Sequence, residues 1–258
     1  MDYKYRIGLV LCIVLPLTGC AILRPAPAHQ DKSAQGQSIM GESDLRIASS
    51  ALQSGDLNVA RSIYGRVIEQ QPENATAWLG LADTHFLSGE LDSANKAYAT
   101  AQRLEPKNID AQLGQARILI RQRNLTAATA SFKSILTHFP DHPLALSGLG
   151  VSYDLAGDYN QAQSTYRRGL SLYPDDSALR TNLGLSLALS GKPREAVNVL
   201  LGTTGVSGKL PQERDNLALA YGMLGRDDAA EEILMSNQSQ GAVQDNLAFY
   251  HYLRQNMR

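Results

Sequence analysis

Apolar residues along this chain fall in short helical runs, and the runs come in pairs. Leu79, Phe86 and Leu87 recur at the spacing of one helix face, and Ala94, Tyr98 and Ala101 do the same further on. Gly89 separates the two runs, at a place where a helix ending in a left-handed residue favours glycine. Pro106 follows the second run and stops it, since proline lacks the amide that a helix interior needs. The stretch 75–108 therefore predicts two antiparallel helices, over about 75–88 and 92–104.

The same pair recurs with a period of 34 residues. Pro72, Pro106, Pro140 and Pro174 keep that step, as do Ala60, Ala94, Ala128, Ala162, Ala196 and Ala230. Gly55, Gly89, Gly157, Gly191 and Gly225 keep it too, with Arg123-Asn124 in the missing place, where Asn is expected to tolerate the backbone shape. Tyr64, Tyr98, Phe132 and Tyr166 form a fourth series, continued by Leu200 and Leu234. Four series with one period define an internal repeat. One helix pair cannot bury its apolar face alone, so neighbouring pairs must stack. The small alanines let paired helices approach, and the large residue of the fourth series fills the remaining gap.

Trp78, Leu81, Ala82, Gly89, Ala94, Tyr98, Ala101 and Pro106 resemble the tetratricopeptide pattern, with His85 where that family favours Tyr. The resemblance implies an all-α, right-handed superhelical solenoid of six helix pairs plus a C-terminal capping helix. It leaves function open, because this fold serves many unrelated partners.

The chain begins differently. Lys4 and Arg6 precede an apolar run from Ile7 to Leu17, too short to span a membrane, and the run ends in Leu17-Thr18-Gly19-Cys20. This resembles a bacterial lipobox, which implies a signal peptide over 1–19 and acylation of Cys20. Of the two cysteines, Cys12 lies in the signal, so no disulfide within the mature chain is expected. Each buried methylene of an acyl chain contributes about 0.8 kcal/mol, so several chains on one residue hold a protein at a bilayer. Ala21 and Ile22 follow Cys20; by resemblance to bacterial lipoproteins, the lack of Asp there implies the outer membrane, facing the periplasm. Pro25, Pro27, Ser33, Gly36, Ser38 and Gly41 interrupt any period, so 20–40 reads as a flexible tether.

Repeats then run over 41–244, and 245–258 reads as a capping helix. The fifth repeat lacks its terminal proline and carries Thr203-Thr204-Gly205-Val206-Ser207-Gly208 instead, so its second helix should end early. The runs Arg214-Asp215-Asn216-Leu217-Ala218-Leu219-Ala220-Tyr221-Gly222 and Asn246-Leu247-Ala248-Phe249-Tyr250 are similar to the TadD family of outer-membrane lipoproteins. These serve assembly of the tight-adherence (Flp) pilus. The resemblance spans lipobox, repeats and tail, and implies a scaffold that assembles or localises the pilus secretin.

The chemistry present fits a binding role. Formal net charge is −1, which gives nucleic-acid binding no electrostatic support. His138 and His142 have a spacing seen in zinc sites, but they flank Pro140 in a turn with no third ligand near in sequence. Asp175-Asp176, Asp227-Asp228 and Glu231-Glu232 read as helix-start charges and solvated faces. No catalytic constellation, metal site or cofactor motif is found, so no enzyme activity is expected.

In the resembled family the first helix of each repeat lines a concave groove. Mapped here, the lining is Leu79, Asp83, Phe86, Leu87, Leu113, Arg117, Ile120, Arg121, Val151, Asp154 and Leu155, with Leu144 and Ser147 beside them and Leu185, Leu189, Leu219 and Met223 beyond. The alternative for each apolar member is packing on a neighbouring helix. A mainly apolar strip suits an amphipathic helix or an extended apolar peptide. The clamp by which some relatives grip a terminal carboxylate is not built here, because Arg117, Arg121 and Asn182 are too few. The expected partner is a protein, an outer-membrane secretin or other pilus-assembly component. The alternatives are a pilotin-like role in another pilus or secretion system, and a periplasmic adaptor for cell-wall hydrolases.

Overall fold

The computed structural model describes residues 35–202 and 211–256, all helical apart from short turns. Six antiparallel pairs follow one another: α1 (Gln35–Gln53) with α2 (Leu57–Gln70), α3 (Ala75–Leu87) with α4 (Leu91–Leu104), and α5 (Ile109–Arg121) with α6 (Leu125–His138). Then come α7 (Pro143–Leu155) with α8 (Tyr159–Leu172), α9 (Ser177–Leu189) with α10 (Pro193–Leu201), and α11 (Pro211–Leu224) with α12 (Asp227–Met235). A last helix, α13 (Gln240–Asn256), closes the stack. The expected signal peptide, Cys20 and most of the expected tether lie outside the described residues.

Short polar residues start the helices. Asn74, two residues after Pro72, accepts from the Ala77 amide at 3.0 Å, and Asp176, two after Pro174, accepts from Leu179 at 2.8 Å. His142 holds the equivalent place without a side-chain cap, and Pro143 supplies the preset first turn instead. Between paired helices the glycines Gly55, Gly89, Gly157, Gly191 and Gly225 all have positive φ. In the third repeat it is Arg123 that adopts this shape, at φ 60, whereas Asn124 caps α6 through the Ala127 amide at 3.3 Å. The expectation that Asn124 carries the left-handed turn is thus corrected: its oxygen is needed one residue later.

Two boundaries differ from the sequence reading. Helix α1 starts at Gln35, inside the expected tether, because no proline occurs between Pro27 and Pro72 to stop it. Helix α13 starts at Gln240 rather than 245, with the Ser239 hydroxyl 3.5 Å from the Ala242 amide. Helix α10 is nine residues long against fourteen in α4, as the missing proline predicts.

The first helix of each pair packs against its own partner, the preceding second helix, and the first helices on either side. Among the described residues the backbones of the second helices do not pack on one another, although the exposed Arg167 of α8 and Glu195 of α10 pair at 3.3 Å. Closer spacing on one side curves the stack, so α3, α5, α7 and α9 line its inner face. The large residue of each second helix fills the seams: Tyr98, Phe132, Tyr166 and Leu200 are almost wholly buried. Each lies over a glycine where a methyl group would overlap it. Tyr64 covers Gly80, Tyr98 covers Gly114 and Phe132 covers Gly148, all in the next repeat; Tyr166 covers Gly150 and Leu200 covers Gly184, in their own. At the far end Arg254 donates to the Gly222 carbonyl at 2.7 Å and to Asp227 at 2.9 Å, fastening α13 onto α11 and α12.

Candidate protein-binding surface

The inner face is less open than its sequence pattern indicates. Phe86 is 5% exposed, and Leu113, Ile120 and Val151 are buried likewise. These four were expected in an open groove and are corrected to core positions. The physical reason is that α3 touches α5 and α5 touches α7, so side chains pointing along the inner face are caught between helices. Leu79 and Leu155 are half-buried against the core. Leu144, Leu185 and Leu189 are also partly covered, and Leu219 and Met223 are buried. Leu87 remains open at 49% exposure, and Arg121 is exposed.

The charged members of the strip have defined partners. The Tyr98 hydroxyl donates to Asp83 at 2.5 Å, and the Arg117 guanidinium stands 3.6 Å from the same carboxylate. Burial pushes the Asp83 carboxyl up, against the opposing pull of Arg117 and of the Tyr98 hydrogen bond; Asp110 adds to the upward push. Above Phe86 the Arg117 guanidinium lies 4.4 Å from the ring centroid and that of Arg121 5.3 Å. Arg117 Nε is buried without a hydrogen-bond partner. Two repeats on, Asp154 accepts from Tyr166 at 2.9 Å and from Ser186 on α9 at 2.6 Å. Burial raises its carboxyl to about 6, although both hydroxyl donors favour the ionised form.

Sequence reasoning missed part of this network. Gln163 is buried, donates to the Ser190 hydroxyl at 2.7 Å and accepts from Lys192 at 3.1 Å. Asn182 donates to Ser147 at 3.1 Å. A usable signal was present: polar residues at Ser147, Asn182 and Ser186 interrupt otherwise apolar helices in one pair of neighbouring repeats. His138 is exposed at the end of α6, and burial lowers the pKa of half-buried His142. Among the described residues no group of three His, Cys, Asp or Glu side chains is placed to hold a metal ion.

The family model for the tetratricopeptide domain of cytochrome c-type biogenesis protein H matches residues 65–180, and a tetratricopeptide-repeat model matches 42–74. No curated protein sequence matches the chain. Similar solved structures include the APC/C hetero-tetramer Cut9-Hcn1, at TM-score 0.67 and 22% identity over 84% of this chain; the match spans only 42% of that one. PilW, described as a widely conserved type IV pilus biogenesis factor, has TM-score 0.66 and 18% identity over 81% of this chain and 97% of its own. Pseudomonas aeruginosa pilF has TM-score 0.61 and 15% identity over 83% of this chain and 99% of its own. At such identities the likeness is one of fold. The stacked helix pairs and the two repeat matches together identify the chain as a tetratricopeptide-repeat protein.

Proposed function

We propose that this chain is a lipid-anchored scaffold at the periplasmic face of the outer membrane that assembles or localises the secretin of a Flp pilus. The observation that carries this reading is the joining of Leu17-Thr18-Gly19-Cys20 to a tetratricopeptide stack, with a tail similar to the TadD family. A pilus biogenesis factor of the same fold, PilW, supports it. The work asked of the protein is binding: Leu87 and Arg121 offer an open apolar and a cationic contact on the inner face. No reaction is assigned to it.

The test is a fractionation beside a piliation assay. Cys20→Ser should leave the outer membrane, and secretin multimers and surface pili should fall with it. A Cys20→Ser protein that still floats with outer membranes overturns the anchor. Normal secretin and pili in a deletion strain overturn the pilus role. The match over 65–180 favours a second reading, a binding domain in c-type cytochrome biogenesis. Loss of haem-stained c-type cytochromes in the deletion strain, with pili intact, would select it.

A further inference from the structure

Resting on the scaffold reading, the geometry points to one partner class: an extended polypeptide segment carrying a carboxylate side chain about three residues from an apolar one. We propose that Arg121, steadied with Arg117 on Phe86, takes the carboxylate, and that Leu87 takes the apolar group.

Arg117 and Arg121 are four residues apart on α5 and so share a face. Both guanidiniums lie over one ring, Phe86 of α3. Stacking holds an arginine plane by its face and leaves its in-plane N–H donors free for a carboxylate. Phe86 itself is 5% exposed, so it serves as a platform.

The charge balance is incomplete at one place. Arg117 has Asp83 at 3.6 Å, beyond hydrogen-bond reach, and that carboxylate already accepts from Tyr98. Arg121 forms no ion pair among the described residues; its contact is the ring. The other acid nearby, Asp110, lies eleven residues earlier on the same helix, about 16 Å along the axis. That exceeds the screening length of about 8 Å at physiological salt. Like charges four residues apart on a helix repel one another, and a bound anion relieves that repulsion. Two cations with Asp83 beside one of them suit one carboxylate and not a polyanion, which would meet that acid.

The spacing follows from the repeat. Leu87 and Arg121 are 34 residues apart, so they hold equivalent places on adjacent helices α3 and α5. Packed helices stand about 8–10 Å apart. A segment in the polyproline II conformation rises about 3.1 Å per residue with three residues per turn, so side chains three residues apart share a face and stand about 9 Å from one another. The fitting pattern is therefore an acid and an apolar residue with two residues between.

Phage-displayed random dodecamers panned on the full-length chain test this. The enriched pool should carry Asp or Glu three residues from Leu, Ile, Phe or Met. Arg121→Glu should weaken the selected peptides about tenfold and turn a fresh selection toward Lys and Arg. Leu87→Ser should weaken them as well, and both variants, altering exposed side chains, should melt as the parent does. An enriched pool with no acidic excess that still depends on Leu87 overturns the acidic class and leaves the scaffold reading standing. A pool indifferent to both substitutions, or failure to enrich any peptide, overturns the site.

Discussion

From α2 to α6 the large side chain of each second helix leans forward into the next repeat; in α8 and α10 it leans back into its own. Tyr64, Tyr98 and Phe132 each lie over the glycine sixteen residues ahead, whereas Tyr166 and Leu200 lie over the one sixteen residues behind. The alternative seat is blocked in every case. Ala82 and Ala116 stand where Gly150 and Gly184 stand later, and Asn182 and Asn216 replace the forward glycines Gly80, Gly114 and Gly148. Repeat four has both glycines, two residues apart, and carries a ring on each: Phe132 on Gly148 and Tyr166 on Gly150. Beyond that point the large second-helix side chain no longer spans the junction; between repeats four and five Leu179 of α9 sits over Gly169 of α8 instead, and hydrogen bonds join the two repeats: Asn182 to Ser147, Ser186 to Asp154, and Gln163 to Ser190. One period thus accommodates two kinds of interface. The choice between them is made by which first-helix position lacks a Cβ.

The largest effect should come from removing a forward ring. Tyr98→Ala should cost about 3–5 kcal/mol, the range for deleting a buried aromatic. Because the ring sits on Gly114, hydrogen exchange should rise in α5 as well as in α3 and α4. Tyr166→Ala should raise exchange in α7 and α8 while α9 keeps more of its protection. Equal spread in both variants would end the distinction between forward and backward seats.

Moving the seat is a finer test. Gly114→Ala should cost about 1–3 kcal/mol by overpacking against the buried Tyr98 ring. Adding Ala82→Gly opens the seat behind, so the double variant should recover at least half of that loss in chemical denaturation. Strict additivity of the two losses would show that the glycine position does not direct the ring.

The polar interface should betray itself by pH. Asp154 has a folded-state pKa raised to about 6 by burial, against an ordinary 3.8. A carboxyl raised on folding stabilises the fold while protonated. Its contribution is complete below 3.8 and is lost as pH rises through about 6. The wild type should therefore lose on the order of 1–2 kcal/mol relative to Asp154→Asn between pH 4 and 7. Parallel stability curves for the two proteins would remove Asp154 from the interface energetics.

The sequence announced the stacking well, because alanines, prolines and turn glycines each answer a local demand of one helix pair. It announced the inner face poorly. Phe86 and Leu87 are neighbours of similar hydrophobicity, yet one is 5% and the other 49% exposed. That difference depends on where α5 places Arg117 and Arg121, which is a property of two repeats together. The seat glycines were visible as letters, but their use required knowing which way each ring points.

The smallest effect carries the sharpest sign. Asn182→Ala should cost only about 1 kcal/mol, since the freed Ser147 hydroxyl can turn to the carbonyl four residues back, as Ser152 does to Gly148 at 2.8 Å. The informative comparison is between alanine and glycine at that place. Within a helix, glycine is ordinarily less stable than alanine by about 0.5–1 kcal/mol. No ring approaches position 182, since Tyr166 already occupies Gly150, so Asn182→Gly should be the weaker of the two variants by about that amount. At position 114 the order reverses, because the methyl of alanine meets Tyr98. Thermal melts of the four proteins, alanine and glycine at each position, read the direction of the lock from the sign of a difference. Glycine winning at 182 would mean that Tyr166 can swing forward, and that the two halves share one interface after all.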